Sequence, residues 1–150
     1  MNINGSFLKI GIFEINNIIS LIKTLPQDIW NISTSRQITY NEHGETESIF
    51  ITNLKDDWCG GNYNLDNIDT TLYAELYEAT VKIIRELENI FNGKVGKSFY
   101  VKLPAGNTVK PHVDLSKYLQ GVHRCHIPII TNEEVLLDRK STRLNSSHGY

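Results

Sequence analysis

The chain is poor in cysteine, methionine and proline, with two, one and four in 150 residues. Two thiols, Cys59 and Cys125, make no disulfide framework, and neither has a metal-type CxxC partner. Both are expected to be reduced thiols of a cytoplasmic protein. No apolar run approaches the roughly 20 residues that cross a bilayer. The N-terminus lacks the basic segment and cleavage site of a signal peptide. There is also no surplus of basic charge: the formal net charge is −2, whereas a nucleic-acid surface is usually basic. Neither membrane nor nucleic acid is therefore an expected partner. Internal repeats and low-complexity linkers are missing too, which leaves one domain long enough to bury a core.

What is present reads as α+β. Residues 6–12 look like a first strand. Residues 14–25 place Ile15, Ile18, Ile19 and Ile22 at helical spacing, and Pro26 closes that helix. Residues 28–40 are mixed, with Trp30 expected in the core. Residues 37–40 and 47–52 read as two strands joined across a turn with Gly44 at its tip. His43 lies in that turn and is expected to be solvated. Residues 53–67 read as a loop. Its Asp56–Asp57 pair is expected to be solvated or helix-capping, and its Gly60–Gly61 pair lacks the framing of a phosphate loop.

The strongest helical signal runs over residues 69–91. Asp69, Thr70 or Thr71 can cap it, with Glu75 in reach of a capping box. Leu72, Leu76, Ile83, Leu87, Ile90 and Phe91 make one stripe, and Gly93 is expected at C′. The helix should pack on the outside of a sheet. Further strands are expected over residues 97–103, 109–114, 122–131 and 134–137.

The stretch that carries chemistry is 100–132. His112 and Asp114 stand two residues apart in a segment read as extended. Side chains i and i+2 of a strand leave the same face, so an imidazole and a carboxylate are expected to project together into one pocket. That is two thirds of a 2-His-1-carboxylate facial triad, which holds Fe(II) and leaves positions open. The plain alternative is a surface histidine beside a turn-capping aspartate. Upstream, Leu103-Pro104-Ala105-Gly106 supplies a turn in which Gly106 can take positive φ. Pro111 biases Lys110 towards an extended backbone. Downstream, Arg124 and His126 alternate across Cys125. An arginine aimed into a pocket is a natural bidentate partner for a carboxylate.

Pro-Ala-Gly-Asn-Thr-Val-Lys-Pro-His-Val-Asp followed by Arg-Cys-His-Ile-Pro-Ile-Ile-Thr-Asn resembles the aspartyl/asparaginyl β-hydroxylase family of Fe(II)/2-oxoglutarate-dependent oxygenases, over roughly residues 99–137. The resemblance implies a double-stranded β-helix, or jelly roll, braced by the N-terminal helix and the long central one. It makes His112 and Asp114 iron ligands, with Arg124 and His126 binding the 2-oxoglutarate co-substrate. It also implies molecular oxygen as co-substrate and a peptide or amino-acid substrate hydroxylated at an aspartyl, asparaginyl or prolyl side chain. A polar co-substrate contact that the family can place on the preceding strand falls near Val101, which has no side-chain hydrogen bond to offer.

The C-terminal end reads differently. From Arg139 the sequence has no periodicity and no apolar face, and it resembles translated sequencing-adapter tails. Residues 1–138 are thus expected to form a truncated oxygenase-like domain, and residues 139–150 to be non-native or disordered. Without Arg139, Lys140 and Arg143, 12 basic residues face 17 acidic ones, a net charge of −5. The family's third iron ligand is a histidine several tens of residues beyond the His-X-Asp. His148 is not taken for it, because the intervening sequence lacks the strands that would bring the chain back. His123 is expected to face outward. The site as written is therefore incomplete, and this chain is expected to turn over little or nothing. Two alternatives remain: a non-catalytic cupin-like binding module, and a metal-dependent enzyme of another class on the same barrel.

Overall fold

The computed structural model describes residues 8–32, 34–52, 70–112, 122–132, 135–139 and 142–145. Asp114, Cys59 and the 53–67 loop with its aspartate and glycine pairs lie outside these, as do His148, Asp69 and residues 6 and 7. The described residues form an α+β fold of three α-helices, two short 3-10 segments and two antiparallel strand pairs. None of these helices is long and apolar enough to cross a membrane.

Helix α1 spans Asn16–Thr24. Its side-chain cap comes from outside the helix, where Glu14 accepts the Asn16 N–H at 2.9 Å and offsets part of the orphaned first turn. Leu25 is held extended before Pro26 (ψ 132°), which ends the helix. Ile18 and Leu21 are buried, and Ile15, Ile22 and Leu25 pack beside them. A 3-10 segment at Gln27–Asn31 then buries Ile29 and Trp30.

Helix α3, Thr70–Phe91, is the longest element. Leu76 is fully buried and Ile83 nearly so, with Leu87 packed against them. Ile90, expected on the same stripe, is 47% exposed. The helix ends in a Schellman motif. The left-handed residue is Asn92 (φ 47°) rather than Gly93. Asn92 N–H donates to Asn89 C=O and Gly93 N–H to Glu88 C=O, so Gly93 occupies C″.

Strand β1, Glu47–Thr52, pairs antiparallel with β2, Ser98–Lys102. Ile49 lies opposite Tyr100 and Phe50 opposite Phe99, with an irregularity before Thr52. Ile49, Ile51 and Tyr100 join the core with Leu76 and Ile83, so α3 packs on this pair as expected. Glu47 and Lys102 face each other at one end, 2.6 Å apart, and Gln27 bonds to both. The Lys102 ammonium also lies 5.4 Å from the Trp30 ring centroid.

Several sequence expectations give way here. Residues 8–12 form no strand. Residues 37–40 do not pair with β1: Ser35–Thr39 is a helical turn, α2. Its side chains explain why. Arg36 reaches Thr46 Oγ1 and Gln37 donates to Ser48 Oγ, so the segment bonds to β1 through side chains and leaves the β1 backbone to β2. Neither residues 109–112 nor 122–131 lie in a strand. Within the tail, the backbone of Thr142–Asn145 (β4) pairs antiparallel with Leu136–Arg139 (β3).

Candidate functional site

The site is built on a turn and a strap. The turn is the 3-10 segment Asn41–His43, extended by Gly44 N–H to Asn41 C=O and Thr46 N–H to His43 C=O. The strap is 104–112, which leaves β2 through a tight turn. There Asn107 N–H donates to Pro104 C=O and Gly106 has φ +84°, the left-handed third position of a type II turn. Three bonds lay the strap on the turn. Thr108 N–H donates to the Glu45 carboxylate at 2.9 Å, Asn107 Nδ2 to Glu45 C=O at 3.2 Å, and Lys110 N–H to Glu42 C=O at 3.3 Å.

This docking carries His112 onto His43. The two rings meet edge to face, with centroids 4.6 Å apart and an interplanar angle of 82°. His43 is buried, 9% exposed, rather than solvated as the polar turn sequence implies. Its Nδ1 lies 3.0 Å from Arg36 Nη2. A guanidinium only donates, so His43 Nδ1 accepts and the ring proton is on Nε2. Arg36 is held in turn by Thr46 Oγ1 at 3.3 Å and by the Phe99 ring at 5.4 Å. Phe99 stacks on Phe50, with centroids 5.1 Å apart.

The same reasoning assigns His112. Its Nδ1 lies 2.8 Å from Lys110 C=O. A carbonyl only accepts, so Nδ1 carries the proton and Nε2 is the lone-pair nitrogen of the neutral ring. A metal-ligating histidine characteristically holds its second ring N–H in this way.

Of the other residues singled out from the sequence, Arg124 and His126 are both exposed. The segment that carries them is irregular, and all five residues 122–126 are exposed, so strand alternation does not set where these two side chains point. The segment is tethered at both ends. The His123 ring, on the exterior as expected, stacks on Phe91 with centroids 4.9 Å apart, and Ile127 and Ile129 pack against the core. Cys125 is a free thiol whose pKa is raised by desolvation. Val101 lies opposite Ser48, a buried hydroxyl that receives the Gln37 amide. Among the described residues, no three His, Cys, Asp or Glu side chains converge on a common point.

A cleft of about 330 Å³ opens beside the turn. Trp30, Gln37, Glu45, Thr46, Glu47 and Asn107 line much of it. It borders the Arg36–His43 assembly through Thr46.

Sequence reasoning set His43 aside as a solvated turn residue and did not single out Arg36. The only local signal was their spacing of seven residues, and it means nothing until α2 folds back on the turn. No protein-family model matches the chain, and neither a curated protein nor a solved structure gives a match.

Proposed function

We propose that this chain carries part of an Fe(II)/2-oxoglutarate-dependent hydroxylase domain on a double-stranded β-helix. Its substrate would be an aspartyl, asparaginyl or prolyl side chain of a peptide or free amino acid. The observation that carries the reading is the pinned His112 ring: Nδ1–H is held by Lys110 C=O, and Nε2 is the donor nitrogen, two residues before Asp114. His112 fits the role of one iron ligand. Asp114 would be the carboxylate ligand, and the third, a further histidine, is not assigned to any residue of this chain.

Iron and 2-oxoglutarate, when bound, supply the oxygen activation and oxidising power that no protein side chain has. The chain's own part is positional. Glu45 and Glu42 dock the strap, Lys110 C=O orients the His112 ring, and Arg124 and His126 would receive the co-substrate carboxylate by charge-assisted hydrogen bonds.

The test is anaerobic Fe(II) titration of the wild-type chain and of His112→Ala, with 2-oxoglutarate present, followed by a succinate assay in air. Iron binding that depends on His112, with little or no succinate formed, is the expected result. Equal iron binding by both proteins would sink the iron reading and favour the non-catalytic cupin-like module. Iron-dependent succinate formation abolished by His112→Ala would overturn the incompleteness of the site.

A further inference from the structure

His43 and Arg36 have no part in the reading above, yet His43 lies directly against its central residue and Arg36 against His43. We propose that they form a positioning pair for His112: Arg36 locks His43 in one tautomer and orientation, and the His43 ring sets the plane of His112. This rests on His112 being the iron ligand.

The geometry supports it in three steps. First, the Lys110 carbonyl is a local restraint on an exposed side chain, only two residues away in sequence. A hydrogen bond to Nδ1 fixes the proton but sets the ring plane loosely; an edge-to-face neighbour at 4.6 Å opposes rocking of that plane. Second, His43 is suited to be that neighbour because it is itself immobilised. It is buried, Arg36 fixes its Nδ1, and Tyr40 stands edge-on with centroids 6.4 Å apart. Third, the guanidinium that fixes it is held by Thr46 Oγ1 and lies over Phe99. The orientation of a solvent-facing imidazole is thereby tied to the Phe50–Phe99 side of the β1–β2 pair, opposite the core face. A neighbour that presets a ligand ring lowers the ordering cost of metal binding, and its loss typically weakens a site tenfold or more.

The test uses the whole chain in two measurements. Long-range ¹⁵N–¹H spectra of the imidazoles, taken without metal at pH of about 8, above the ordinary imidazole range, report the ring tautomers. Calorimetric titration with Co(II), an air-stable probe for an iron site, reports affinity. In wild type, His112 should show the Nδ1–H signature. His43→Ala should shift it towards a mixture of tautomers and weaken Co(II) about tenfold, while His43→Phe, which keeps a ring at the position, should restore most of both. Arg36→Met should blur the His43 tautomer and move the His112 signals in the same direction as His43→Ala. A purely structural role predicts lost stability with the His112 signature unmoved. That outcome, with unchanged Co(II) affinity in His43→Ala, overturns the proposal. If Co(II) affinity is indifferent to His112→Ala, the iron reading itself has failed, and the positioning claim falls as a statement about a metal ligand. The metal-free spectra tell that failure apart from the first.

Discussion

The Glu45 carboxylate accepts the backbone N–H of Thr108 at 2.9 Å, across 63 residues of sequence. Nothing in either residue's neighbourhood in the sequence announces the bond. It matters because the strap it anchors ends in His112.

Removing this anchor should loosen the strap before it unfolds the protein. Glu45→Ala is expected to cost about 1 kcal/mol of global stability, the typical net contribution of one hydrogen bond. Hydrogen exchange should show a larger local effect, with the Thr108 and Lys110 amides exchanging faster while the Ile49 and Tyr100 amides keep their protection. Unchanged exchange at Thr108 would mean that the strap is held elsewhere.

The hydroxyls of Thr80 and Tyr100 lie 2.7 Å apart and join α3 to β2. Thr80 also donates to Leu76 C=O at 2.6 Å. A hydroxyl has one proton to give, so Tyr100 is the donor in the pair. Burial pushes the Tyr100 phenol above its ordinary pKa. A group whose pKa is raised on folding contributes stability below its unfolded value, about 10 for tyrosine. That contribution is lost as pH rises through the higher folded value. Urea midpoints should therefore fall above pH of about 10 in wild type and less steeply in Tyr100→Phe. At pH 8 the variant should be less stable by about 1 kcal/mol. Parallel pH profiles would refute the assignment.

Asn92 holds the left-handed position after α3 at φ 47°. Asparagine tolerates this backbone better than most residues, and glycine better still. Asn92→Gly should raise the melting temperature, corresponding to a gain of up to about 1 kcal/mol. Asn92→Val should lower stability by about 1–2 kcal/mol, the cost of forcing a branched residue into that region. A melting temperature raised by the valine would contradict the cap geometry.

Local pattern was enough for the elements whose cause is local. The Leu76, Ile83 and Leu87 periodicity marks α3, Pro26 stops α1, and the β-favouring run Ile49-Phe50-Ile51 marks β1. Gly106 takes the positive φ that its turn requires. The His-X-Asp triplet and the Arg124–His126 pair were visible as chemistry, because residue type and spacing alone raise them.

Other features depend on contacts between distant segments. Residues 37–40 have β-compatible composition, but their neighbourhood is helical because Arg36 and Gln37 find better partners in Thr46, His43 and Ser48 than a strand would offer. Ile90 fits the periodicity of α3 yet stays exposed, since a stripe is buried only where something covers it.

The amino-acid sequence by itself determined that this is an α+β chain with one long amphipathic helix, and which of its side chains have the chemistry of metal and carboxylate binding. Only the tertiary structure decided that a turn histidine is buried, that an arginine orients it, and that His112 lies across it. Those facts require Arg36, the 41–46 turn and the 104–112 strap to meet. Periodicity reports what a residue presents to its near neighbours along the chain, and it carries no term for a hydrogen bond closed over some sixty residues.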